Sequence, residues 1–275
     1  MSLDKILVSE WDLAGTYKTG LRDKRDYEVV SELYEKGFNY KQISDKTWRE
    51  ASVVSNWIRG KFQPQYMKGE RAASLLDLLP LRIDNERFSS LNLLAAWTFW
   101  SGTLSDDYCI SISGSEKQLI FLKEYFYKNL LAPSKIYEGE REGLFLRFGE
   151  NGYIYGRILH ALGIPNEKRK TQIKLKLPKY VSYLLKDKNE MHLKEFAKVL
   201  FETRVGKRSR HIIGVDLIAN RKREYAEEFG EEIFNFLTKI YGLSEKEISL
   251  HIIKHQNINL WVPRISFRVN GLEIF

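Results

Sequence analysis

Apolar positions along the chain follow two different periods, and the switches between them mark out the elements. Tyr27–Lys36 turns Val30, Leu33 and Tyr34 to one side, the spacing of an amphipathic helix. Gly37-Phe38-Asn39 breaks it, and Asn39 is placed to cap a second helix, Tyr40–Lys46, which buries Ile43. A turn at Thr47–Arg49 leads into Glu50–Arg59, with Val54, Trp57 and Ile58 on one face and Gly60 at its end. Gln63–Ser90, with Pro64, Pro80 and a short helix over Ala72–Leu79, reads as a connector. Leu94–Gly102 reads as a core helix, followed by a turn at Thr103–Asp107. Tyr108–Ser113 then alternates with period two, the mark of a strand. Ser115-Glu116 opens a helix that runs to Leu130, Gly143–Phe148 is a strand, and Tyr155–Leu162 is a helix that ends at Gly163.

The order then recurs. His192–Thr203 is apolar-periodic, His211–Ile218 is a strand, and Arg223–Ile240 places Phe229, Ile233, Phe236, Leu237 and Ile240 on one helical face. Strands follow at Ile248–Ile253 and Ile265–Val269, and Gln172–Leu177 alternates as a further strand between the two runs. An offset of roughly a hundred residues is too long for a solenoid and predicts two pseudo-symmetric halves of one fold. The expected class is α/β in the α+β sense. The expected domains are a helical one over 1–63, a linker over 64–91, and a domain over 92–275 with halves 92–187 and 188–275. The last strand lies close to Phe275, so the final helix of the second half is expected to be missing or very short.

Leu94-Ala95-Ala96-Trp97-Thr98-Phe99-Trp100-Ser101-Gly102 resembles the helix that names the LAGLIDADG homing endonucleases. Leu94, Ala95, the small Ala96 and Gly102 are in register, but Ser101 stands where that family has its catalytic Asp. The second motif, which ends in Asp-Thr-Asp-Gly in the family, reads Glu202-Thr203-Arg204-Val205 here. Leu162–Pro165, Lys168–Lys170 and Leu177–Tyr180 are similar to the family's connection between motifs. The resemblance covers about residues 92–275. It implies two αββαββ halves, with the motif helices side by side through Ala95, Ala96 and Ala197, and strands forming a saddle on duplex DNA. It also implies that one acid from each motif helix would bridge divalent metals. Ser101 supplies no anionic ligand, and Arg204 would repel Mg²⁺ at close range. Binding without scission is therefore expected, with no cofactor and no metal. Mg²⁺ would enter only in the rival reading, a homing endonuclease with acids relocated to Asp106, Asp107 or Glu202. Relatives in that family include transcriptional regulators that join a degenerate saddle to a helix-turn-helix, and intron RNA maturases. A regulator is the leading expectation.

Composition sharpens the choice of partner. A net charge of +8 and a pI near 9.3 favour a polyanion, here double-stranded DNA. The single Cys109 excludes intrachain disulfides and suits a reducing compartment. His251 and His255 lack further ligand partners and read as surface residues. There is no leader pattern and no apolar run near the ~20 residues needed to span a bilayer. The expectation is therefore a cytoplasmic, nucleoid-associated protein with no membrane or small-molecule partner. High Lys, Arg and Glu content points weakly to a thermophile. Two halves in one chain let a monomer suffice.

Val54–Lys61 resembles the end of a helix-turn-helix recognition helix. Its candidate DNA contacts are Arg49, Ser52, Ser55, Asn56, Arg59 and Lys61. On the strands, Arg147, then Lys174 and Lys176 beside Gln172, then Arg264, Ser266 and Arg268 share polar faces. Those runs place Lys or Arg outward and never Asp or Glu. The loop Gly206–His211 adds Lys207, Arg208 and Arg210, and Arg204 is expected to face the DNA backbone.

Overall fold

Local capping decides where several helices begin. The computed structural model describes residues 5–139, 143–149, 151–166, 171, 173–208, 212–255 and 259–268, with the backbone alone for 206–208. In the N-terminal unit, which ends at Phe88, the order is β1 (Ile6–Val8), α1 (Glu10–Gly15), α2 (Gly20–Glu35), α3 (Tyr40–Thr47), α4 (Ala51–Ile58), α5 (Gln65–Leu75) and β2 (Leu81–Arg82). Asn39 caps α3 as its position suggested. Its side chain accepts from the Gln42 amide at 3.0 Å while Gln42 accepts from the Asn39 amide at 2.9 Å. Val30, Ile43, Val54 and Trp57 form the core of α2–α4, with Tyr27, Leu33 and Phe38 packed against it.

Two expectations change here. Helix α2 starts at Gly20 rather than Tyr27, because one inward position is a lysine. Lys24 is buried and bonds Glu70 of α5 at 2.8 Å and Glu10 of α1 at 3.3 Å. Burial alone would lower its pKa, and the two carboxylates more than reverse that. A charged core residue hides the helix from an apolar-period test. The stretch 64–91 is also no bare linker. It supplies α5, which closes the Lys24 pairs, and β2, which pairs antiparallel with β1. The helix expected at Ala72–Leu79 lies earlier, because Pro64 sets a start immediately ahead of Gln65.

The second unit, from Ser89 onward, is two like halves. The first runs α6 (Phe88–Trp100), β3 (Gly102–Leu104), β4 (Ile110–Ser113), α7 (Glu116–Leu130), β5 (Ser134–Gly139), β6 (Gly143–Phe148), α8 (Gly152–Ala161) and α9 (Lys179–Lys186). The second runs α10 (Glu190–Arg204), β7 (Val205–Arg208), β8 (Ile212–Asp216), α11 (Arg223–Tyr241), β9 (Ile248–His255) and β10 (Leu260–Arg268). Their antiparallel sheets have the same order, β3-β4-β6-β5 and β7-β8-β10-β9. The class is α+β, and the repeated order is the one the resemblance implied.

Each sheet buries one face. Ile110, Ile112, Leu146 and Phe148 turn inward, with Phe126 of α7 against Phe148 at 5.7 Å. In the second sheet Val215, Ile248, Ile265 and Phe267 do so, with Phe201 of α10 against Phe267 at 5.4 Å. Gly156 of α8 meets the Tyr108 carbonyl so closely that a Cβ there would overlap it, which seats α8 on the β3–β4 hairpin.

Strands β3, β5 and β7 escape the sequence pattern. Three residues are too few to show alternation, and β5 has polar Ser134 and Glu138 on its inward side. The expected turn at Thr103–Asp107 begins only after β3, and the expected loop at Gly206–His211 opens with β7. The expected strand at Gln172–Leu177 is not one over its described residues, 173–177. Leu175 and Leu177 are buried while Lys174 and Lys176 are exposed, so the alternation is real. Side chains satisfy its backbone instead of a ladder. Asn220 donates to the Ile173 carbonyl at 2.6 Å, and the Leu177 amide donates to Glu232 at 3.2 Å.

Candidate nucleic-acid interface

The two motif helices, α6 and α10, are tied together by side-chain bonds from Asn92 at one end and around Trp100 at the other, and run the same way. At one end Asn92 donates to the His192 carbonyl at 3.0 Å and to Glu195 at 3.1 Å, and accepts from the buried Tyr180 hydroxyl at 2.9 Å. From the last residue of α6, Trp100 Nε1 donates to the Phe196 carbonyl, midway along α10, at 3.2 Å. Phe99, Trp100, Phe196 and Phe229 pack around that contact with their rings edge-to-face or tilted. Ala95, Ala96 and Ala197 are fully buried.

At the other end stand the two positions where the resemblance would place acids. Ser101 Oγ donates to the Ser113 carbonyl at 2.7 Å, and the Ser113 amide donates back to the Ser101 carbonyl at 3.0 Å. The hydroxyl thus ties the end of α6 to β4. Arg204 donates from Nε at 2.9 Å and from Nη2 at 2.5 Å to the Trp100 carbonyl. A cation from α10 therefore caps the negative end of α6. Burial lowers the Arg204 pKa, and the nearby Asp216 carboxylate opposes that shift. Arg204 was expected to face DNA. It faces Trp100 instead, because an uncapped carbonyl at a helix end is the nearest strong acceptor. A bonded hydroxyl and a guanidinium do not fit a divalent metal. The proposed substitutes do not repair the site. Asp106 and Asp107 sit in the turn of the β3–β4 hairpin, at the end away from Ser101, and Glu202 pairs with Lys198 at 3.8 Å.

Several expected DNA contacts have partners within the chain. Arg264 of β10 lies directly across from Asp216 of β8 and grips it with two bonds, 2.5 and 2.8 Å. This bond and the charge of Asp216 raise the Arg264 pKa. The outward face of that sheet thus carries an acid as well, on β8, a strand outside the Lys and Arg runs. Lys174 is ion-paired with Glu228 of α11, whereas Lys176 is exposed. Ser266 and Arg268 do share the Arg264 face, opposite Gly214 and Ile212. Arg147 is exposed on the outward face of the first sheet and donates to Cys109 Sγ at 3.1 Å. Lys135, Tyr137 and Phe145 share that face. Lys135 and Tyr137 belong to β5, whose residues show no period-two pattern in the sequence. The side chains of Lys207 and Arg208, and all of Arg210, lie outside the described residues.

In the N-terminal unit, α3 and α4 are joined by three residues, Trp48–Glu50, with Trp48 in the left-handed conformation at φ 56° and 93% exposed. Arg49 is a latch rather than a free contact. It bonds Asp26 and Asp23 of α2 at 2.7 Å each and lies over the Trp57 ring. Burial pulls its pKa down, and the two aspartates more than reverse this. Ser52, Arg59 and Lys61 are exposed, while Ser55 and Asn56 are half-buried. Arg59 lies over the Tyr40 ring at 5.4 Å.

No known family's sequence model matches this chain, and no curated protein matches it. Among solved structures, one similar chain is the N-terminal LAGLIDADG domain of DUF199/WhiA. The two align with a TM-score of 0.39 and 13% identity, over 72% of this chain and 84% of that one. Among the described residues, no helix is long and apolar enough to cross a membrane.

Proposed function

We propose that this protein binds double-stranded DNA in a sequence-dependent way, as a transcriptional regulator, and does not cut it. The observation that carries the reading is the closure of α6 by Arg204. Two like halves meet through parallel central helices, and a cation bonds a carbonyl where a nuclease of this architecture needs paired carboxylates. Ser266, Arg268, Lys176 and Arg147 offer the backbone contacts. In the N-terminal unit, α3 and α4 act as a helix-turn-helix, with Ser52, Ser55, Asn56, Arg59 and Lys61 toward the bases and phosphates. The net charge of +8 supplies the long-range attraction, and one chain suffices. The reading places the protein in the cytoplasm, on the nucleoid.

Selection of bound fragments from random duplexes, followed by titration of the winners, tests this. A recovered consensus bound with steep salt dependence is expected, on the order of 10³-fold weaker at 200 than at 50 mM salt for six or more phosphate contacts. The same duplex should stay uncut with Mg²⁺ or Mn²⁺. Cleavage at the consensus, lost on Asp106→Ala or Asp107→Ala, would make the protein an endonuclease instead.

A further inference from the structure

The two sheets have the same order but not the same outward surface. In the first, Tyr137 of β5 lies directly across from Phe145 of β6, and Lys135 directly across from Arg147. The Tyr137 and Phe145 rings are stacked, 5.7 Å apart and 20° from parallel, and Tyr137 is 45% exposed. Among the described residues the second sheet sets no two aromatic rings across from each other on its outward face. Its outward pairs on β9 and β10 are Leu260 with His255, Val262 with Ile253, Arg264 with His251 and Ser266 with Ser249. Its arginine at 264 is neutralised by Asp216.

Sheet stability alone does not account for the first surface. Like charges directly opposite each other weaken a strand pair, and no acidic side chain stands on this face among the described residues of its four strands. The two cations border a depression of about 440 Å³ lined by Lys135, Tyr137, Arg147, Pro133 and Gly149. Cations beside an open aromatic face suit an anion that carries a flat ring.

We infer that this surface is a stacking platform for an unpaired base of bound DNA, with Lys135 and Arg147 on the flanking phosphates. The inference rests on the reading of the chain as a DNA-binding protein and goes beyond it. Bases within a duplex present only their edges in the grooves, whereas an exposed ring takes the face of an unstacked base. The platform thus gives the first half a preference for locally opened or bulged DNA that the second half lacks.

The test uses the full chain and two duplexes of one sequence, one fully paired and one with a single bulged 2-aminopurine. Wild type is expected to bind the bulged duplex about tenfold more tightly and to quench the analogue's fluorescence. Tyr137→Ala and Phe145→Ala should erase both effects and leave affinity for the paired duplex within about twofold. Tyr137→Phe should retain both. Tyr137→Leu keeps apolar bulk against Phe145 but has no ring, so it should fold and still lose the quenching. Lys135→Gln should weaken binding to both duplexes. Equal affinity for the two duplexes in wild type, or quenching that survives in Tyr137→Leu, overturns the platform and leaves duplex binding intact. Binding of neither duplex overturns both.

Discussion

Replacing Arg204 with Ala removes two charge-assisted hydrogen bonds from the last carbonyl of α6. Bonds to charged groups contribute about 1.5–3 kcal/mol. A cation at a partly buried helix C-terminus adds up to about 2 kcal/mol. The two effects overlap, so about 3 kcal/mol is the expected loss. For a unit of this size that is a fall in Tm of roughly 6–12 °C. Arg204→Asp should cost more than Arg204→Ala. It sets a carboxylate against the negative end of α6 and close to Asp216, whose charge already bears on this position. An acid at 204 should therefore unfold the site before it could hold a metal. Arg204→Lys keeps the charge and should recover part of the loss. Calorimetry and urea unfolding of the three variants give the measurement. If Arg204→Ala lies within about 0.5 kcal/mol of wild type, the guanidinium is not a structural cap on α6.

Arg264→Ala should destabilise the protein by about 1–3 kcal/mol, because Asp216 loses its fork. Arg268→Ala should instead spare stability and lower the salt slope of DNA binding by about one; paired melting and salt titrations separate the two. Trp57→Ala should cost about 3–5 kcal/mol in the N-terminal unit, whereas Trp48→Ala, at a 93% exposed position, should stay within about 0.5 kcal/mol; thermal melts of both variants decide. His192 contributes a pH dependence. Burial lowers its pKa below the ordinary 6.5, against the pull of Glu195, so its contribution is complete above that value. As pH falls below 6.5 the unfolded chain takes up the proton first, and stability is lost until the folded-state pKa is reached. His192→Gln should lose less stability than wild type between about pH 7.5 and 5.5, as read by urea midpoints at each pH.

What the sequence determined by itself was local. Asn39 and Ser115 capped the helices they precede, because a cap and its partner lie three residues apart. The spacing of Phe229, Ile233, Phe236 and Ile240 marked α11, and the repeated order of elements marked two halves. That Ser101 and Arg204 stand where the family it resembles has acids could be read directly. The tertiary structure decided where charges went. Lys24 lies ahead of the helix that periodicity marks, and only the fold brings Glu10 and Glu70 to it from two other helices. Arg264 reads as a DNA contact until register sets Asp216 across from it, and Arg49 until Asp23 and Asp26 fold back. Periodicity reports which face of an element is apolar. It says nothing about which opposite charge from elsewhere in the chain will lie within 3 Å. Arg204 shows the limit most clearly: its sequence position identified a cation in place of an acid, but only the packing of α10 against α6 turned it onto the Trp100 carbonyl, where an unpaired acceptor at a helix end holds it.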